Sequence, residues 1–214
     1  MRKIVPVVEG PGELDAVPEL IRKVLREYQK SDVAVAHPKN AHGVGGLTVA
    51  GGLERFLRYA LNEPGVSGVL ILRDADNECP YDLAQDLATR ARALNAPVPV
   101  AVVVAKCEYE AWFLASIETI AGLDLDGRPG ISGGTTCQDP EAQGDAKGWI
   151  TRAMPGSRAY KETFDQLAMT RLLDIGVAHR NSRSFRRFCK AVVELCSAFD
   201  RGTSDVTPAS SRQE

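Results

Sequence analysis

Four short apolar segments, separated by stretches with helical periodicity, constrain the fold of this chain more than any other feature of its sequence. They cover residues 3–8, 32–36, 68–72 and 98–105. Between them, apolar residues recur at spacings of three and four, as in helices that bury one face. Strands that are apolar on both faces and alternate with helices are typical of a covered parallel sheet. The sequence therefore predicts an α/β protein with a mostly parallel, Rossmann-like sheet and helices on both faces.

The predicted organisation is one core with a C-terminal elaboration. Residues 1–121 form the α/β core, and Pro6 in its first strand indicates an edge position or an irregularity. Residues 122–200 begin with a stretch rich in Gly, Asp, Thr and Pro, which predicts a long loop or insertion. Two helical patterns follow, and we expect these C-terminal helices to pack on the core. Residues 201–214 form a polar tail.

Composition and charge exclude several classes of protein. With 44% hydrophobic residues and a net charge of −2, the chain has an average globular composition, which excludes disordered and fibrous proteins. No apolar run approaches the roughly 20 residues of a membrane helix, and Glu9 interrupts the apolar N-terminus before it could form a signal peptide. The five cysteines include no CxxC pair, which fits reduced thiols. We therefore expect a cytoplasmic protein with no membrane segment.

Acidic residues follow three of the predicted strands at the point where each strand ends. They are Glu9 and Glu13 after the first strand, Asp74 and Asp76 after the third, and Glu108 and Glu110 after the last. The carboxyl ends of parallel strands meet at one edge of the sheet, so we expect these six side chains to converge in one crevice. Carboxylates so close together must be protonated, paired with cations or bound to a metal ion. Oxygen ligands favour Mg²⁺ or Mn²⁺.

The alternative for each acid is a structural role, because acids at strand–helix junctions often cap a helix. The occurrence of acids at three junctions together favours the metal site.

Two of these motifs resemble the toprim fold, the metal-binding domain of topoisomerases, bacterial primases and a set of nucleases. One is an apolar strand that ends in Glu-Gly-x-x-Glu, with Glu9 and Glu13, and the other is a later strand that ends in Asp-x-Asp, with Asp74 and Asp76. The segment Glu110-Ala-Trp-Phe is similar to an element of toprim nucleases of the overcoming-lysogenization-defect type.

A closer resemblance is to a family of small bacterial toprim-like proteins. It is carried by Glu110-Ala-Trp, by Tyr160-Lys161 with Asp165-Gln166, and by Ser-Arg-Ser-Phe-Arg-Arg-Phe at 182–188. The match extends over nearly all of residues 1–200. Proteins of this family are commonly described as encoded beside an ATPase and are associated with phage defence.

The resemblance implies Mg²⁺- or Mn²⁺-dependent hydrolysis of phosphodiester bonds in DNA or RNA, by a nuclease that is latent until an ATPase partner assembles with it. The implied ligands of one ion are Glu9, Asp74 and Asp76, and those of a second are Glu110 with Glu108 or Glu13. Pro11 and Gly12 stand where the family commonly has a Ser or Thr before the second glutamate, which favours Glu9 over Glu13 as a ligand.

Basic residues are concentrated towards the C-terminus of this nearly neutral chain, a pattern typical of a surface that binds a polyanion. The candidate nucleic-acid contacts are Arg180, Arg183, Arg186, Arg187 and Lys190. On a helix the last four share a face opposite Phe185 and Phe188. We predict Lys161, in the Tyr-Lys element, as the lysine that stabilises transition-state charge. The alternative for these residues is an ordinary solvated helix face.

Two other functions fit parts of the pattern. Asp-x-Asp after an apolar strand also occurs in metal-dependent glycosyltransferases that bind a nucleotide-sugar diphosphate, although Glu9 then has no role. A non-catalytic metal- or nucleic-acid-binding module with the toprim fold is the other alternative. Phosphatases of the haloacid dehalogenase type are less favoured, because their nucleophilic motif follows the first strand and Asp74-Ala-Asp76 follows the third.

Overall fold

The computed structural model describes residues 2–30, 32–41 and 46–209, and its described strands form one sheet. The strands are β1 (Arg2–Val8), β2 (Val33–Val35), β3 (Lys39–Asn40), β4 (Gly68–Asp74), β5 (Val100–Ala105) and β6 (Val206–Thr207). Their order is β2-β1-β4-β5-β6, and β3 pairs with β1 beyond the end of β2. All pairings between these strands are parallel. The predicted parallel α/β architecture is confirmed.

Helices cover both faces of the sheet, as predicted. They are α1 (Glu13–Glu27), α2 (Gly52–Leu61), α3 (Pro80–Ala93), α4 (Ala111–Leu114), α5 (Ile117–Ile120), α6 (Ala146–Ala153), α7 (Glu162–Leu172), α8 (Ile175–Asn181) and α9 (Arg183–Arg201), with a 3₁₀ turn at Pro140–Ala142. Alternate strand residues face opposite sides, so β4 contributes Leu70 to the cluster with α1 and α9 and Ile71 to the cluster with α2 and α3. None of the helices described is both long and apolar enough to cross a membrane.

Pro6 lies in a central strand, where proline is unusual because it has no N–H to donate. The pairing on one side of β1 is interrupted at Pro6, so no N–H is needed there. On this side β2 pairs with residues 2–4 of β1 and β3 pairs with residues 7–8. On that side the carbonyls of Ile4 and Val8 accept from Ala36 and Ala41, and Pro6 lies between them. The irregularity predicted for this strand is therefore present, and the strand is not at an edge.

Two parts of the chain differ from the prediction. Helix α6 forms within the stretch predicted to be a loop, and its first turn is capped by Asp145, whose Oδ1 accepts from the Gly148 N–H at 2.8 Å. Strand β6 forms within the predicted polar tail and pairs with β5, while residues 210–214 of that tail lie outside the described residues. Both elements are short, so neither has enough apolar residues to show a period.

The strand order reverses between β1 and β4. From β1 the chain crosses through α1 to β2 on one side, whereas β4 lies on the other side of β1. In open parallel sheets, ligands bind outside the carboxyl ends of the strands at such a switch point. Glu9 directly follows β1 and Asp74 ends β4, so two of the predicted metal ligands lie at this switch point.

Candidate active site

A cleft with a volume of about 480 Å³ opens beyond the carboxyl ends of β1 and β4. The acids that line it are Glu9, Glu13, Asp74, Asp76, Glu110 and Glu162, and its other polar side chains are Asn40, Lys147 and Gln166. The fold thus brings together five of the six acids that were predicted to converge. The sixth, Glu108, contacts Lys147 of the cleft, with 3.6 Å between Nζ and Oε1.

Glu9 directly follows β1, and its buried carboxylate lies beside the buried guanidinium of Arg73 on β4. Arg73 Nε is 3.5 Å from Glu9 Oε2, and Arg73 Nη2 donates to Glu78 Oε1 at 2.9 Å. Among the described residues, Glu9 Oε1 and Arg73 Nη1 have no hydrogen-bond partner although both atoms are buried. Burial raises the pKa of Glu9 to about 7, and the charge of Arg73 opposes that rise. One oxygen of Glu9 is therefore free to accept a proton or a cation.

Glu13 closes the turn between β1 and α1. Its Oε2 accepts from the backbone N–H groups of Glu9 and Gly10, both at 2.9 Å. The side chain is buried, and burial raises the pKa of Glu13 to about 7. Because Glu13 Oε2 accepts from the N–H groups of Glu9 and Gly10, the Glu13 side chain fixes the position of the Glu9 backbone.

The chain leaves β4 and β5 through backbone conformations that are uncommon for residues other than glycine. Asp76 has a φ of 48° and Cys107 a φ of 60°. The Asp76 N–H donates to the Cys107 carbonyl at 2.8 Å, and the Tyr109 N–H donates to Asp74 Oδ1 at 2.8 Å. These bonds join the two strand ends, with Asp74 half-buried and Asp76 exposed. Burial, followed by the charge of Glu13, raises the pKa of Asp74. Backbone strain of this kind clusters at functional sites.

Glu110 is fully buried at the start of α4. Its Oε1 accepts from the Tyr160 hydroxyl at 2.8 Å and from Gln166 Nε2 at 3.3 Å. Within the described residues its Oε2 has no hydrogen-bond partner, and the nearest cation is Lys147, whose Nζ lies 3.9 Å away. Burial raises the pKa of Glu110 to about 8. The ionised form of this side chain therefore depends on a nearby positive charge.

Trp112 anchors helix α4, which begins directly after Glu110. Its Nε1 donates to Ser184 Oγ at 2.9 Å, and its ring lies against Phe185 and Phe188 with centroid distances of 5.4 and 5.0 Å. The 182–188 segment at the start of α9 thus supports the backbone that carries Glu110 into the cleft.

Lys147 brings a positive charge into the cleft from α6. Its Nζ lies 2.6 Å from Glu162 Oε1, in addition to its contacts with Glu108 and Glu110. Glu108 Oε2 also accepts from the Lys147 backbone N–H at 3.1 Å. Burial alone would lower the pKa of Lys147, but the charges of Glu110 and Glu162 outweigh it and raise the pKa above its usual value. Lys147 is therefore charged and serves as a built-in counter-ion of this cluster.

Among the described residues, no three His, Cys, Asp or Glu side chains are grouped closely enough to hold a metal ion as they stand. The acids instead contact Arg73, Lys147 and backbone N–H groups. The donor set nevertheless consists of oxygen atoms, and three of these are buried without a partner: Glu9 Oε1, Glu110 Oε2 and Gln166 Oε1. Oxygen donors suit Mg²⁺ or Mn²⁺. The chemistry of the cleft thus fits such an ion, provided that the acids approach one another and Lys147 withdraws.

Lys161, predicted as a catalytic lysine, is exposed at the start of α7 and is not part of the cleft lining. Its backbone N–H donates to Asp165 Oδ2 at 2.9 Å. The lysine that the fold brings to the acids is Lys147.

The predicted nucleic-acid contacts lie on α8 and α9, outside the lining of the cleft. Arg180 is exposed on α8. The four basic residues of α9 share its outward side, but the two edges of that side line different grooves. Arg183 and Arg187 line a groove beside β5, whereas Arg186 and Lys190 line a groove on the other flank of the helix.

Sequence reasoning did not identify Lys147, Arg73 or Glu162 as site residues. Lys147 and Glu162 lie on elements far along the chain from the strands, so no local motif marks them. Arg73 directly precedes Asp74, and an arginine at the end of an otherwise apolar strand was the one available signal. A charge in that position requires a buried partner, which proves to be Glu9.

Comparison with models of protein families matches residues 8–192 to a domain of unknown function, DUF4276. Comparison with curated proteins and comparison with solved structures both find no match. The matched region extends from the end of β1 into α9 and so contains all the residues that line the cleft.

Proposed function

The chain belongs to the family of the DUF4276 domain of unknown function, and we propose that it is a nuclease that hydrolyses phosphodiester bonds with Mg²⁺ or Mn²⁺. The observation that carries the proposal is the acidic cleft at the switch point of the sheet. Glu9, Asp74 and Glu110 are held there with raised pKa values, and Glu9 and Glu110 each have one buried oxygen without a partner. Buried carboxyl groups of this kind are concentrated at functional sites.

Each residue has a role in this proposal. Glu9, Asp74 and Glu110 would hold the cation, with Asp76 at the exposed side of the cleft. When bound, the cation supplies neutralisation of the phosphate charge and activation of a water molecule. Lys147, displaced from the acids by the cation, would pair with the phosphate and stabilise charge in the transition state, the role predicted for Lys161.

The test is hydrolysis of labelled plasmid, single-stranded DNA and RNA in Mg²⁺, Mn²⁺ or EDTA. The variants are Asp74→Asn and Glu110→Gln, which keep the shape of each side chain and remove its charge. Glu118→Gln is the matched control, because Glu118 is exposed on α5 and outside the cleft. We expect the chain alone to cut at a basal, metal-dependent rate. Both cleft variants should reduce this rate at least about 100-fold, as for loss of a catalytic electrostatic group, and Glu118→Gln should leave it intact. Cutting that survives both variants would contradict the proposal.

A second candidate function is a non-catalytic module that binds nucleic acid without a metal ion, and the observation that favours it is Lys147. Its ammonium group already contacts three acids of the cleft cluster, so the cleft is partly neutralised without a metal ion. Titration with Mg²⁺ or Mn²⁺ separates the two functions, because a ligand that binds only the folded state raises its melting temperature. The absence of any thermal shift would favour the binding module.

Two further parts of the proposal rest on the toprim resemblance and on the thiols. We propose that an ATPase partner switches the nuclease on, in the setting of phage defence. Full cutting activity by the chain alone would contradict this. We also propose a cytoplasmic location, in keeping with five cysteines that are all free thiols.

A further inference from the structure

A second cavity lies on the other side of the β4–β5 strand ends. This basic groove has a volume of about 470 Å³ and runs between α3, β5 and the start of α9. Val102 and Val104 of β5 contribute its apolar floor, and the side chains of Lys106, Arg183 and Arg187 line it as well. A groove with an apolar floor and three cations suits a ligand that is both flat and anionic.

The charges of the basic groove are only partly compensated within the protein. In the described part of the chain, neither Lys106 nor Arg183 forms an ion pair. Arg187 Nη1 donates to Glu194 Oε2 at 2.7 Å, while its Nη2 is buried without a hydrogen-bond partner among the described residues. The acid that lines the groove, Glu141, is engaged at the start of α9, where its Oε1 accepts from Ser182 and Ser184.

The basic groove also contains an exposed aromatic ring. Tyr81, on the first turn of α3, lines the groove and is 60% exposed. Bases of a single strand stack on such rings, whereas the bases of a duplex are already stacked on one another. An aromatic ring beside cations along a groove is the arrangement by which proteins bind single-stranded nucleic acid without sequence preference.

One backbone hydrogen bond joins the lining of the acidic cleft to a residue next to the lining of the basic groove. Asp76, which lines the cleft, donates its backbone N–H to Cys107, the residue directly after Lys106 of the groove. Cys79 and Pro80, which line the groove, follow Asp76 by three and four residues. A strand lying in the groove would therefore pass the ends of β4 and β5 to reach the carboxylates.

The groove on the opposite flank of α9 has a similar composition, but its Arg and Lys side chains are engaged in hydrogen bonds or ion pairs within the described residues. Arg186 donates to the carbonyls of His179 and Arg180 at 2.9 and 3.0 Å. Lys190 lies 3.7 Å from Glu194 Oε1, and this groove also contains a tyrosine, Tyr28. It thus provides a matched internal control.

We propose that the basic groove binds single-stranded nucleic acid, with Tyr81 stacking on a base and Lys106 and Arg183 contacting phosphates, and leads the strand to the acidic cleft. This inference rests on the proposed function for its direction, but binding to the groove does not require hydrolysis. The two can therefore be tested separately.

The experiment is fluorescence anisotropy of a short labelled single strand and of the duplex of the same sequence, with the full chain in EDTA. We expect tighter binding of the single strand. Tyr81→Ala should weaken it by about five- to 150-fold, the usual range for loss of one base stack, and Tyr81→Phe should restore it. Lys106→Ala/Arg183→Ala should reduce the slope of log affinity against log salt by about 0.7 for each phosphate that the protein no longer neutralises.

The controls are Tyr28→Ala and Arg201→Ala, which remove an aromatic ring and a cation from the groove on the opposite flank of α9 and should leave binding unchanged. The inference is overturned if the control variants weaken binding as much as the groove variants do. It is also overturned if the duplex or polyglutamate binds as tightly as the single strand, or if no oligonucleotide binds. Groove-dependent binding by a protein whose melting temperature does not respond to Mg²⁺ or Mn²⁺ would refute the proposed function and support the groove.

Discussion

The side chain with the strongest bearing on the charge of the cleft is Lys147. Two unit charges about 4 Å apart near a protein surface attract by up to about 4 kcal/mol before desolvation is counted. The ammonium group of Lys147 lies at about this distance from Glu110 and closer to Glu162. In the proposed site, a divalent cation and Lys147 would therefore compete for the same carboxylates.

We predict that Lys147→Met binds Mn²⁺ about tenfold more tightly than the wild-type protein, because the acids lose their internal counter-ion. Isothermal titration calorimetry measures the affinity directly. Lys161→Met is the matched control, since Lys161 is exposed and outside the cleft lining, and its affinity should not change. Unchanged affinity in Lys147→Met would show that the ammonium group does not hold the metal position.

At the level of elements, the cleft depends on the close approach of α1 and α7. Gly12, at the start of α1, has an ordinary φ of −68°, so its backbone conformation does not require glycine. Space does require it: a Cβ at this position would lie 2.2 Å from Gln166 Oε1 and 2.8 Å from the Glu162 carbonyl oxygen. Both contacted residues line the cleft.

We predict that Gly12→Ala destabilises the protein by about 1–3 kcal/mol, because α7 must move away from α1. The free energy of unfolding from urea denaturation measures this change. Gly10→Ala serves as the control, since a Cβ there would be 3.7 Å from its nearest neighbour, an ordinary contact. Equal stability of the two variants would mean that α7 yields without cost. A loss of the Mn²⁺ response in Gly12→Ala alone would connect this contact to the cleft.

The sequence predicts the elements that are long or apolar, and through them much of the cleft. Strands β4 and β5 are apolar on both faces, so their ends place Asp74 and Glu110 at one edge of the sheet. Helix α6 was missed because only Ala146 and Ile150 among its eight residues are buried in the core, and Lys147 was missed with it. Which acids face a cation and which bond to the backbone depends on side-chain contacts that no sequence pattern encodes.

For the whole molecule, the buried acids connect stability to pH. Burial raises the pKa of Glu9 and Glu13 from 4.5 to about 7 and that of Glu110 to about 8. Between pH 4.5 and the raised pKa of each group, the folded state holds a proton that the unfolded chain has released. The free energy of unfolding therefore falls as the pH rises through this range. Acids with a lowered pKa, such as Glu54 beside Arg90, have the opposite effect, but only below about pH 4.5.

We therefore predict that the metal-free protein in EDTA loses stability as the pH rises from about 5 to about 8, by at most about 1.4 kcal/mol per pH unit for each group. Mg²⁺ should restore stability at the upper end of this range and have little effect at the lower end, because cation binding requires ionised carboxylates. Thermal unfolding at each pH, with and without Mg²⁺, measures both effects. Glu110→Gln, which cannot ionise at that position, should show a shallower loss and a smaller response to Mg²⁺. A wild-type protein with constant stability over this range would mean that the cleft acids keep their charges when the chain folds, with Arg73 and Lys147 as sufficient counter-ions.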